Sequence, residues 1–226
     1  MATVQQVLDE LREKASAESV EGMARFGMTA ERRLGVSVPD MRGIAKKISK
    51  DHELALELWR TRIPEARIVA ALIDRPDDVS EEQMEEWVAD FNSWDVCDQV
   101  CMNLFDRTSL AVKKVHDWSK REEEFVKRAA FALIACLAWH RKEMADEELI
   151  QFFPLIRAAA VDERNFVKKA VSWALRHIGK KNLNLNRAAV ELAVEIREFD
   201  SKAARWIASD VIRELESEKI QKKLGG

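Results

Sequence analysis

Between Ile44 and Ile178 the chain contains no glycine, and Pro64, Pro76 and Pro154 are the only prolines in that stretch. A β-rich fold of this length needs more turn residues, so the shortage argues for helices joined by short links. Cysteine is scarce too. Cys97, Cys101 and Cys136 are odd in number and lack any C-x-x-C spacing, which supports neither a disulfide framework nor a zinc site and fits a reducing compartment. Nowhere do 18 apolar residues follow one another, and the first eleven residues carry Asp9 and Glu10 where a signal peptide has an uncharged core. The expectation is a cytoplasmic, soluble protein with no membrane partner. His52, His116, His140 and His177 are scattered without a second ligand at metal spacing, so neither a metal nor a cofactor is expected and no histidine is assigned a role.

What is present is helical periodicity. Met84, Trp87, Val88 and Phe91 fall at i, i+3, i+4, i+7, as do Leu149, Phe152, Phe153 and Ile156, and Ala204, Ile207, Ala208, Val211, Ile212 and Leu215 continue the pattern. These spacings predict amphipathic helices of roughly 10 to 16 residues. Phe125-Val-Lys-Arg-Ala-Ala-Phe-Ala-Leu133 is echoed 41 residues later by Phe166-Val-Lys-Lys-Ala-Val-Ser-Trp-Ala174, with weaker echoes at Ala66–Ile73 and Ala204–Val211. A period near 40, each unit a helix pair, is the mark of stacked HEAT-type repeats. The fold expected is all-α: an α-α superhelix of about six HEAT-like repeats with a concave basic cleft. At 226 residues a single domain over 1–226 is the simpler reading, and a monomer is expected.

The net charge of −3 argues against bulk attraction to a polyanion, but the charges are unevenly placed. From Asp74 to Asp90 there are eight acids against one base, and from Arg164 to Arg187 seven bases and no acid. In the repeat register a cation recurs at Arg67, Arg128, Lys169 and Arg205, which stacking would line up on one face, open to a duplex or to a peptide. Where the register asks for one more cation, between Arg67 and Arg128, roughly Asp98 stands instead. Trp94 and Asp98 are i, i+4 on one helix face. Ser93 is placed to cap that helix, and Asp95 suits its first turn. By spacing alone Trp94 and Trp173 read equally as core aromatics, and Asp98 as a surface acid paired with a cation.

Trp94-Asp-Val-Cys-Asp98, Phe125-Val-Lys-Arg128-Ala-Ala-Phe, Phe166-Val-Lys-Lys-Ala-Val-Ser-Trp173, Met23-Ala-Arg-Phe26 and Leu34-Gly-Val-Ser-Val-Pro39 resemble, in order and spacing, the motifs of the AlkD-like DNA alkylation repair family. The resemblance implies a DNA glycosylase that hydrolyses the N-glycosidic bond of cationic alkylpurines such as 3-methyladenine and 7-methylguanine in duplex DNA. It implies that Asp98 is the catalytic carboxylate and that Trp94, Trp173 and Arg128 line the cleft with it. Lys168, Lys169, Arg176, Lys180, Lys181, Arg205, Ser37 and Pro39 become candidate DNA contacts, the basic ones to phosphates. A cationic purine is already a good leaving group. A carboxylate and electron-rich indole faces would then stabilise charge developing on the sugar, while Arg128 held the neighbouring phosphate.

Active relatives use an N-terminal helix that enters the minor groove. The equivalent stretch, Val20 to Met28, holds Gly22 and Gly27, which together cost about 2 kcal/mol of helix propensity. A short or missing helix is predicted there, which keeps a second class of function open: a noncatalytic repeat scaffold that binds DNA or a protein with the same face. A peptide-binding solenoid unrelated to DNA is a third class, disfavoured by the Trp94, Asp98, Arg128 and Trp173 set.

Overall fold

The computed structural model describes residues 2–225, and among them it shows α-helices and short 3-10 turns but no strand, as the sequence implies. The chain divides into two compact units that meet in sequence at Leu110 and Ala111.

The first unit runs α1 Val4–Glu13, α2 Ala17–Arg25, α3 Val38–Lys46, α4 His52–Arg60, α5 Pro64–Ile73, α6 Glu81–Ala89 and α7 Trp94–Asn103. Helix starts follow local chemistry. Thr3 and Gln6 form a capping box, and the Ser16, Ser37, Asp51 and Ser80 side chains each accept a backbone N–H of the turn they open. Pro64 sits in the first turn of α5, where its missing N–H costs nothing. Most of α5 is buried, and it lies between α4 and α7. Met84, Trp87, Val88 and Phe91 all point inward, as their spacing predicts. The Trp87 ring stacks on Trp59 at 4.0 Å, with Phe91 edge-on at 6.0 Å.

One expectation changes in this unit, and one is narrowed. Arg67 is not part of an open cation row: only 6% exposed, its guanidinium lies 4.5 Å over Trp59 and Nη2 donates to Asp90 at 2.5 Å. A buried guanidinium needs a carboxylate and a π face, and both are supplied from within the unit. The N-terminal helix is short but present. α2 spans nine residues with Gly22 inside it, while Gly27, at φ +76°, lies just beyond its end, where a left-handed residue terminates a helix.

The second unit runs α8 Ala111–Trp118, α9 Glu124–His140, α10 Asp146–Ile150, α11 Phe153–Ala159, α12 Asn165–Gly179, α13 Leu183–Arg197, α14 Lys202–Leu215 and α15 Glu218–Gly225. The 41-residue echo places α9 and α12 side by side, with the equivalent rings of Phe125 and Phe166 at 5.4 Å. Hydrogen bonds between residues 38 apart tie successive repeats: Arg128 Nη1 to the Phe166 carbonyl at 2.7 Å, Ser172 Oγ to Asp210 at 2.7 Å, and Ser201 Oγ to Glu163 at 2.8 Å. Gly179 lies where α12 meets α14; a Cβ there would stand 2.4 Å from Leu215 Cδ1. Leu149, Phe152 and Ile156 are buried as their spacing asks, but they do not share one long helix. The backbone breaks into α10 and α11, since Pro154 in the first turn of α11 cannot donate to the preceding turn.

Candidate nucleic-acid interface and catalytic carboxylate

On α7 the buried face is Val96, Cys97, Val100 and Cys101, which turns Trp94 and Asp98 together onto the half-buried side, one helical turn apart. Trp94 is not a core aromatic. Its Nε1–H donates to the Phe26 carbonyl at 3.0 Å, which hangs the end of α2 on the indole. Phe26 itself is 75% exposed. Its place beside Trp94 was visible in the sequence only as part of the Met23–Phe26 motif.

Ser93 occupies the N-cap position of α7 but does not cap it. Its hydroxyl donates to Asp95 and accepts the Thr29 N–H at 3.3 Å. Asp95 is held on both oxygens by Arg33, at 2.8 and 3.0 Å, and Arg33 Nε donates to the Thr29 carbonyl at 2.6 Å. This bidentate pair is nearly enclosed, with side chains 2% and 12% exposed. Behind it the fully buried Glu65 accepts the backbone N–H groups of Leu34 at 3.1 Å and Gly35 at 2.8 Å. Gly35 has φ +80°, and a Cβ there would stand 2.2 Å from the Ser16 carbonyl oxygen. The loop from Phe26 to Val36 is thus clamped to the start of α7. Its ion pair to Asp95 and its backbone hydrogen bonds to Glu65 link residues 62 and 31 positions apart in the chain, which no local spacing announces.

Ser37 and Pro39 lie at the start of α3, both exposed. Ser37 caps the helix, and its hydroxyl also donates to Asp40 at 2.6 Å. That hydrogen bond, with the Lys14 ammonium, holds the Asp40 carboxyl below its usual range, so an acid sits at the expected DNA contact.

In the second unit Arg128 is 6% exposed and directed at the Phe166 carbonyl, seven residues and about 10 Å along α12 from Trp173. Trp173 is half-buried, with the His177 ring edge-on at 5.8 Å. The basic run on α12 separates into two groups. Arg176 Nη1 and Lys180 Nζ both pair with Glu214, and Arg176 Nε lies 3.3 Å from Asp210 in an ion pair without a hydrogen bond. Against the burial that opposes it, these two cations hold the Glu214 carboxyl below its usual range. Lys181 Nζ donates to the carbonyls of Met144 and Arg141. Of the candidate phosphate contacts, Arg176, Lys180 and Lys181 are therefore already engaged. The acids that engage Arg176 and Lys180 come from the next repeat, and the carbonyls that engage Lys181 from the preceding one, where a count along α12 does not see them. Lys169 is exposed and makes no ion pair among the described residues, Lys168 lies 5.5 Å over the exposed Trp206 ring, and Arg205 has a loose 3.6 Å pair with the exposed Asp200 and a long 3.4 Å hydrogen bond to the Phe199 carbonyl. Among the described residues no three His, Cys, Asp or Glu side chains gather to hold a metal ion, and no helix is long and apolar enough to cross a membrane.

Residues 7–214 match the family model of the DNA alkylation repair enzyme. The chain belongs to that family. A solved structure from a protein family related to the HEAT-like repeat DNA glycosylases, with affinity for branched DNA structures, aligns at TM-score 0.79 and 20% identity over 94% of this chain and 95% of that one. The two share the HEAT-like repeat fold. A designed armadillo repeat protein in complex with a (KR)4 peptide aligns at TM-score 0.42 and 17% identity over 83% of this chain and 79% of that one, too weak a likeness to argue from. A search of curated proteins returned no match.

Proposed function

We propose that the protein is a DNA repair enzyme, a monofunctional glycosylase that releases cationic alkylpurines from duplex DNA. The family match over residues 7–214 supports reading both units as one DNA alkylation repair domain. In this proposal it acts as a monomer in the cytoplasm. The observation that carries the reading is the pairing of an anchored, partly exposed indole with a carboxylate one turn away on α7: Trp94 fixed through Phe26, and Asp98. In this role Asp98 stabilises the oxocarbenium-like sugar and orients the attacking water, while indole faces from Trp94 and Trp173 meet the same positive charge. Arg128, buried on the Phe166 carbonyl, holds a phosphate beside the lesion only by turning outward, and Lys168, Lys169 and Arg205 bind backbone phosphates without reading sequence. No general acid is needed, because the alkylated purine departs neutral.

A second reading, a DNA-binding relative that has lost excision, is favoured by the short α2, which buries no residue, and by the branched-DNA affinity of the structural neighbour. Single-turnover release of 7-methylguanine and 3-methyladenine from methylated duplex separates the two. Wild type should release both, and Asp98→Asn should lower the rate by about 100-fold or more while leaving DNA affinity within about twofold. Absence of release by wild type at saturating binding would sink the enzyme reading for these substrates.

A further inference from the structure

The C-terminal ends of α9 and α12 enclose a cavity of about 470 Å³ that no role above uses. Its walls are Trp139, Lys142, His177, Lys180, Lys181 and Lys223, with no carboxylate among the lining residues. Trp139 is 46% exposed although it closes a helix that is otherwise almost wholly buried. Its ring lies 5.8 Å from His177, which in turn meets Trp173 edge-on at 5.8 Å, so the cavity begins one helical turn beyond the candidate site tryptophan. The four lysines differ in their commitments. Lys180 is paired with Glu214 and Lys181 with backbone carbonyls, whereas Lys142 and Lys223 are exposed and make no ion pair among the described residues. The acids bound to lining residues are Glu214, taken up by Lys180, and Asp146, which accepts from the Asn182 amide at 2.7 Å.

Size, charge and aromatic content together specify a ligand class. A void of this volume is large enough for one nucleotide, its only formal charges are positive, and one wall is an indole face open to solvent. A stacked base contributes about 1–3 kcal/mol on such a face, and ammonium groups bind the phosphate. We propose that this cavity is a nucleotide-binding subsite, with the base on Trp139 and the phosphate between Lys142 and Lys223. The nucleotide is either a residue of a single-stranded DNA segment or a free nucleoside monophosphate; the chemistry recognised is the same. His177, half-buried and kept neutral by burial and the Lys180 and Arg176 charges, supplies a ring wall without a competing charge.

The subsite does not depend on base excision. Calorimetric titration of the full chain with 5′-dAMP, with a 5′-phosphorylated single-stranded hexanucleotide and with inorganic phosphate tests it. Wild type should bind dAMP or the hexanucleotide, and inorganic phosphate more weakly. Trp139→Ala and the Lys142→Glu, Lys223→Glu pair should each lower the affinity at least tenfold; both lysines are exposed and Trp139 lies at the surface end of α9, outside the core, so folding is preserved. Binding of dAMP as tight as that of the hexanucleotide assigns the site to free nucleotide, and binding of the hexanucleotide alone assigns it to a DNA strand. Two results overturn the proposal: no binding of either at millimolar concentration, or binding that survives these variants and is lost only in Lys168→Glu, Lys169→Glu.

Discussion

The two units place most of their tryptophans in opposite ways. In the first, Trp59 and Trp87 are stacked out of solvent, and Arg67 and Arg33 are enclosed by Asp90 and Asp95. In the second, Trp118 is core, but Trp139, Trp173 and Trp206 all reach the surface, each beside a histidine or lysine. The first unit is a rigid frame that presents one chemical pair, Trp94 and Asp98. The second presents aromatic and basic groups in the form that sequence-independent nucleic-acid binding requires. The contrast teaches that a charge or an indole must be located before it is given a function: Arg67 and Lys169 fall in the same repeat register, yet the first is buried and the second exposed.

The sharpest way to break this contrast is at the ion pairs. Arg33→Ala leaves Asp95 without its guanidinium in a nearly closed site, and chemical denaturation should show a loss of about 3–5 kcal/mol. The exposed Arg157–Glu195 pair of the second unit, with side chains 52% and 50% accessible, is the control; Arg157→Ala should cost less than about 1 kcal/mol. Equal losses at the two positions would refute the description of the first unit as the rigid frame.

Glycine offers a second contrast. Gly35→Ala forces a Cβ against the Ser16 carbonyl at a left-handed φ, and the melting experiment should register about 3 kcal/mol or more. Because Gly35 also donates to Glu65, the damage should spread to the loop that carries Phe26 and Arg33. Thermal unfolding within about 1 kcal/mol of wild type would mean that the loop is not clamped as described.

How much of this was readable in advance follows from the range of the forces. Helical periodicity and the 41-residue echo depend on neighbours within a turn or a repeat, and both were legible: the Phe125 and Phe166 rings lie against each other at 5.4 Å, as the echo demands. Trp94 and Asp98 share a face because i, i+4 geometry is local. What stayed hidden depends on partners far away in sequence. Ser93 looked like a cap, yet its hydroxyl is taken by Asp95 in a network closed by Arg33, 60 residues earlier. Arg176 and Lys180 looked like free cations because Glu214, their partner, lies in the following repeat. The cavity at Trp139 needed the ends of α9, α12 and α15 to converge, and no motif spans them.

Protonation separates the units again. Burial, then the Lys180 and Arg176 charges, push His177 down to about 4, below its ordinary 6.5. The folded state then binds fewer protons than the unfolded chain between those values, so stability is full above pH 6.5 and declines as the pH falls toward 4. The His177 part of the loss should reach about 1–2 kcal/mol by pH 5, allowing for a partly exposed ring. His177→Gln should flatten the slope of unfolding free energy between pH 6.5 and pH 5, above the range in which the carboxylates titrate. An unchanged slope would show that the ring is not shielded in the folded state.

The smallest expected effect bears most directly on whether α2 limits function. Nothing lies within 4 Å of a Cβ built at Gly22, so alanine there meets no obstacle. Gly22→Ala should raise stability by about 0.5–1 kcal/mol through helix propensity and a less disordered unfolded chain. If α2 fraying limits DNA engagement, the same variant should also tighten duplex binding by a few-fold, because the carbonyl it steadies at Phe26 is the one that Trp94 holds. A gain in stability with no change in duplex affinity would separate the two effects: the glycine would then weaken the helix without weakening the interface, and the cause of any low excision activity would have to be sought on α7 itself.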